Sequence, residues 1–113
     1  MRIAVDPTAA QPAELLDHDV VTSLDVTVPA GTSVSDLAAV LGPVGELDAE
    51  GDDVAAAHVR VAVSWLRDTA HAEGADAGWD ERFEGMLAFA GQRGWVTGDA
   101  DARTVRAHVV PVG

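Results

Sequence analysis

Two stretches of this chain, 58–63 and 104–110, alternate apolar and polar residues with a period of two. Among regular structures that period fits a strand with one covered face and one bare face. In the first stretch Val59, Val61 and Val63 alternate with His58, Arg60 and Ala62. In the second, Val105, Ala107 and Val109 alternate with Thr104, Arg106 and His108. If the valines point to a core and the strands share a sheet, His58, Arg60, Arg106 and His108 project together from its outer face. An earlier strand over 20–28, rich in β-branched residues and ended by Pro29-Ala30-Gly31, supplies Ser23, Asp25 and Thr27 to that face. Residues 54–74 also admit one long helix with Val54, Val61 and Trp65 on a stripe, but alternating valines favour a strand followed by a short helix over 64–73, capped by Ser64 and closed by Gly74.

The clearest helix runs from Trp79 to Arg93, where Trp79, Phe83, Met86, Leu87 and Ala90 form one apolar stripe and Gly94 stands at the left-handed cap position. Ser33 precedes a second helix whose Val34, Leu37 and Leu41 share a face, and Gly42-Pro43 stops it. Residues 2–5 read as a short strand, and Pro12 opens a brief helix through Leu15 and Leu16. The expected fold is therefore α+β: one domain over 1–113, a small, mostly antiparallel sheet of three or four strands, and about three helices on its valine face. Trp65, Trp79 and Trp95 are expected as core pieces, since the chain has only two phenylalanines.

Composition removes whole classes of chemistry. With 19 Asp+Glu against 7 Lys+Arg the net charge is −12, which disfavours nucleic acid and anionic membranes as partners. All seven cations are arginines, so Schiff-base catalysis and lysine-centred phosphate loops are absent. There is no cysteine, hence no disulfide, thiolate metal site or thiol nucleophile. The start lacks the apolar region of a signal peptide and no apolar run is long enough to span a bilayer, so a cytoplasmic protein is expected, and the GC-rich residue bias points to a bacterial source.

Arginine offers a planar fork to carboxylates and histidine exchanges protons near neutral pH, so the outer-face group His58, Arg60, Arg106 and His108, with Asp25, is the candidate ligand site. The plain alternative is that these are ordinary polar residues on a half-solvated sheet. The acidic loop Asp48, Glu50, Asp52 and Asp53 lacks the glycine and distant glutamate of a calcium loop, and no metal or other cofactor is expected. His71 reads as a charge complementing a helix end, and His18 lies between Asp17 and Asp19.

The segment Val26-Thr-Val-Pro-Ala-Gly-Thr-Ser-Val-Ser-Asp-Leu-Ala-Ala-Val-Leu-Gly42 resembles the second strand and first helix of ubiquitin-like β-grasp proteins, particularly bacterial sulfur carriers. That resemblance implies a carrier role, although such carriers are activated at a C-terminal Gly-Gly and this chain reads Pro111-Val112-Gly113. The leading expectation is a non-catalytic binding or accessory domain that uses a protein partner, a second copy included, or an anionic small molecule. A small cofactor-independent enzyme, with His58 or His108 as acid–base and Arg60 and Arg106 holding an anionic substrate, comes second. The carrier comes third.

Overall fold

The computed structural model describes residues 1–99 and 102–112. In chain order the elements are β1 (Arg2–Val5), β2 (Ala13–Leu16), β3 (Asp25–Pro29), α1 (Val34–Val40), β4 (Gly45–Asp48), β5 (His58–Ala62), α2 (Val63–Ala72), α3 (Trp79–Gln92), β6 (Val96–Thr97) and β7 (Thr104–Val112). Among the described residues the strands form one seven-stranded sheet ordered β2-β1-β3-β7-β5-β4, with β6 also pairing β7. The sheet is mixed: β1 and β3 run parallel, β3 and β7 run parallel, and the other pairs are antiparallel.

This corrects the expected sheet of three or four mostly antiparallel strands. Alternation within a strand fixes which side chains share a face but carries no information about strand direction. Three strands also escaped the pattern: β2 and β4 have four residues each and lack the β-branched residues that marked 2–5 and 20–28, and β6 has two. The segment expected to be a helix through Leu15 and Leu16 is β2. Asp6 closes the loop before it: its carboxylate accepts from the Thr8 backbone N–H at 2.9 Å and the Thr8 hydroxyl at 2.7 Å, and its own N–H donates to the Pro12 carbonyl at 2.8 Å. Those bonds satisfy the backbone in a turn, leaving Pro12 no helix to open.

The early strand also begins later than expected, at Asp25 instead of Val20. Residues 20–23 curl around the Met1 amino group, which donates to the carbonyls of Val20 at 2.5 Å and Ser23 at 2.8 Å. The strand that resembled the second of a β-grasp sheet is thus third in order and lies between two parallel neighbours. Gly113, on which the carrier comparison turns, lies outside the described residues.

One apolar cluster joins Ile3, Val5, Val26, Val28, Val59, Val61, Val105, Ala107 and Val109 of the strands to Leu37, Leu66, Phe83 and Leu87 of the helices. Ser33 caps α1 by accepting from the Asp36 N–H at 3.1 Å, as its spacing predicts. Ser64 does not cap α2: the preceding residue is Ala62, and the Val63 N–H donates instead to the Arg103 carbonyl at 3.1 Å. On α3, Trp79, Phe83, Leu87 and Ala90 are buried and Met86 is partly buried. Trp65 packs at the edge of the core, whereas Trp95, expected inside, is 40% exposed.

Gly94 ends α3 with φ +76°, and a Cβ there would meet no neighbour. Gly94→Ala therefore carries only the left-handed conformational cost, and we expect it to lower stability by about 1 kcal/mol in urea unfolding. Gly91, in the same helix with open space around it, should give the opposite sign as Gly91→Ala, since alanine is the better helix former. A stabilising Gly94→Ala would contradict the cap.

Candidate functional site

The antiparallel pairing of β5 with β7 sets His58 opposite His108 and Arg60 opposite Arg106. Because these positions carry the polar half of both alternations, all four side chains emerge on the face away from the helices. Each strand of the sheet extends the first row. Arg2 pairs with Asp25, Asp25 with His108, His108 with His58, and His58 with Asp48, so a line of ionisable groups crosses five strands. The second row holds Glu46, Arg60 and Arg106, and continues to Trp95, whose carbonyl accepts from the Arg106 N–H at 2.8 Å.

Like charges directly opposite one another repel, and the two arginines separate accordingly. Arg60 turns to Glu46 on the neighbouring strand, with Nη2 3.0 Å from its carboxylate. Arg106 reaches diagonally across to the strand that carries Arg60 and donates from Nη2 to His58 Nδ1 at 3.2 Å. The candidate group is therefore divided by the fold: His58, Arg106 and His108 converge, while Arg60 is held by Glu46 and the Asp25 carboxylate accepts from Arg2 Nε at 3.3 Å.

The hydrogen bonds assign the imidazole tautomers. Since Nδ1 of His58 accepts from a guanidinium, the proton of the neutral ring sits on Nε2, which points at Nδ1 of His108 at 3.4 Å. The rings meet edge to face, 5.0 Å apart at 83°. His108 then carries its proton on Nε2, a donor left for solvent or a ligand. Partial burial, the Arg106 charge and His108 push the His58 pKa below its ordinary 6.5, against a smaller upward pull from Asp48. At neutral pH His58 is uncharged and Arg106 supplies the positive charge beside it.

A lowered pKa also links this site to stability. Between the folded value and 6.5 the unfolded chain holds a proton on His58 that the folded chain lacks. Stability contributed by neutral His58 is thus present above 6.5, declines as pH falls through that window and levels off below it. Urea midpoints measured from pH 7.5 downwards should fall more steeply in the wild type than in His58→Gln over the stretch just below 6.5. Parallel curves there would remove the linkage.

Two open clefts share the wall made by His58 and Arg106. One, about 390 Å³, is bounded by the acidic loop through Asp48, Glu50, Gly51, Asp52 and Asp53. The other, about 220 Å³, is lined by Leu24, His58, Trp95, Arg106 and His108. Nothing in the sequence marked Leu24 as a site residue, and its tryptophans, Trp95 included, could line a pocket but were expected as core pieces. Leu24 precedes its strand and Trp95 follows a helix cap, and both arrive through tertiary structure. Among the described residues, no group of three or more His, Asp or Glu side chains is arranged to hold a metal ion, and the acidic loop forms none.

The remaining ionisable groups serve other contacts. His71 lies 3.0 Å from Asp80 and edge-on to Trp79, and His18 sits 3.7 Å from Glu73. Arg67 and Arg103 both reach Glu84, whose pKa is lowered chiefly by the hydrogen bonds from Arg103. Arg82 pairs with Asp76 at 3.1 Å. Among the described residues, Arg93 and Arg106 have no carboxylate within ion-pair distance, and both adjoin Trp95. The Arg93 guanidinium lies over the Trp95 ring at 5.4 Å and over Phe89 at 4.6 Å.

No helix among the described residues is long and apolar enough to cross a membrane. Comparison with protein-family models, with curated proteins and with solved structures finds no match to this chain.

Proposed function

We propose that this chain is a non-catalytic, cytoplasmic binding domain whose bare sheet face takes up an anionic group at Arg106, with His58 and His108 beside it. One observation carries the reading. On a chain with 19 carboxylate side chains, Arg106 has none within ion-pair distance among the described residues and instead faces a neutral imidazole at the junction of two clefts. A guanidinium with unused donors beside a concave surface is a ready partner for a carboxylate, whether on a small molecule or on a protein side chain or terminus. The free N–H of His108 adds a second donor, and protonation of His58 on acidification strengthens the attraction.

Titration with acetate at low ionic strength, followed by backbone amide shifts, tests this directly. Shifts should centre on residues 106–108 and 58. Arg106→Gln should weaken binding at least tenfold, the order expected for losing one charge-assisted hydrogen bond. Arg82→Gln, which removes a cation paired with Asp76 on α3, should leave it unchanged. Equal loss in both variants would show that only net charge matters, and the reading would fail.

The depressed proton affinity of His58 favours a second reading, a small acid–base enzyme acting on the same anion. It requires a reacting group within reach of His58 and keeps Arg106 in the same role.

A further inference from the structure

Resting on the anion-binding reading, we infer that the ligand is a small monocarboxylate bearing a single apolar ring, its carboxylate on Arg106 and its ring against Trp95 and Leu24. The lining of the 220 Å³ cleft supplies both halves, with Arg106, His58 and His108 for the carboxylate and Trp95 and Leu24 for the ring. Its volume lies below the roughly 300–1,000 Å³ of sites for drug-sized molecules, which suits one ring.

Trp95 is 40% exposed although it belongs to a residue type that contributes heavily to cores, and its backbone is fixed from two directions. Its N–H donates to the Ala90 carbonyl at 3.0 Å and its carbonyl accepts from Arg106 at 2.8 Å. Arg93 lies over the indole ring as a cation–π partner. An exposed aromatic anchored in this way is a preformed wall, so a ligand ring meets it without ordering a mobile side chain.

Charge decides between one negative charge and two. The neighbouring cleft shares His58 and Arg106 but is rimmed by Asp48, Glu50, Asp52 and Asp53, and the whole chain carries −12. A ligand's first negative charge is met by Arg106, whereas a second faces four carboxylates, and among the described residues no further arginine lines either cleft. Sulfate-like dianions are therefore selected against.

Four probes separate these elements in calorimetric and amide-shift titrations of the full chain at neutral pH: phenylacetate, acetate, sulfate and phenylacetamide. Phenylacetate should bind at least about tenfold tighter than acetate, the gain expected from covering part of one ring. Sulfate should bind more weakly than acetate. Phenylacetamide, which keeps the ring and loses the charge, should bind at least tenfold more weakly than phenylacetate. Trp95→Ala should abolish the preference, so that phenylacetate and acetate bind this variant equally, with an unaltered amide spectrum for the core confirming the fold. Equal affinity for acetate and phenylacetate, tighter binding of sulfate, or indifference to Trp95→Ala overturns the ring-bearing monocarboxylate and leaves the anion-binding reading standing. Equal binding of phenylacetamide and phenylacetate, or no binding of any probe, overturns both.

Discussion

Phe83→Ala should lower the unfolding free energy by about 3–5 kcal/mol, the range for truncating a large aromatic in a core. Phe83 is fully buried on α3 and lies nearly parallel to the Trp79 ring, with centroids 4.6 Å apart and planes 21° apart. Trp79 cannot readily shift into the space left behind, because its indole N–H donates to the His18 carbonyl at 2.5 Å and His71 abuts its ring. A cavity beside a tethered tryptophan keeps most of its cost. Domains of this size have total stabilities of roughly 5–15 kcal/mol, so the loss ranges from about a fifth of the stability to all of it. Phe89→Ala is the matched control: that ring is 53% exposed on the same helix, and its removal should cost well under half as much. Urea unfolding of both variants checks the pair, and similar losses would mean that α3 does not pack as described.

Gly45→Ala is the second large effect, and it acts on the sheet. A Cβ at Gly45 would stand 2.0 Å from the Arg60 carbonyl oxygen and 2.9 Å from its carbon, both backbone atoms of the adjoining strand. No side chain can move aside to relieve that overlap, so β4 has to separate from β5 at the Gly45–Val61 pair. Overpacking of this kind typically costs about 1–3 kcal/mol, and the loss of strand pairing adds to it. Gly51→Ala, in open space within the acidic loop, should be close to neutral. Hydrogen exchange gives the specific signature: β4 amides should lose protection in Gly45→Ala while those of β3 and β7 retain theirs. Unchanged protection along β4 would refute the steric argument.

Side-chain placement was readable wherever a periodic run was long enough. The stripe on 79–93 placed Trp79, Phe83, Leu87 and Ala90 inside, because a helix repeats its faces locally. The alternation of 58–63 and 104–110 put Val59, Val61, Val105 and Val109 in the core, and therefore His58, Arg60, Arg106 and His108 on the opposite face. Within each segment this is a consequence of bond geometry; that the two polar sides form one face came from the pairing of the strands.

Strand partners and directions are a different kind of information. Whether β3 runs parallel to β1 and β7, and whether residues 13–16 and 45–48 extend the sheet, depends on which backbone groups meet across space. Segments of four residues or fewer carry too little pattern to announce that choice. The candidate site divides along the same line. The sequence determined that each of the two strands would carry an arginine and a histidine on its polar side. Tertiary structure paired the strands so that the four share a face, and decided that Glu46 would claim Arg60 and leave Arg106 to His58, and that Trp95 would form the wall beside it. Alternation is written into consecutive residues, whereas an ion pair or a pocket wall depends on register between strands far apart in the chain, which is settled only when the whole core closes.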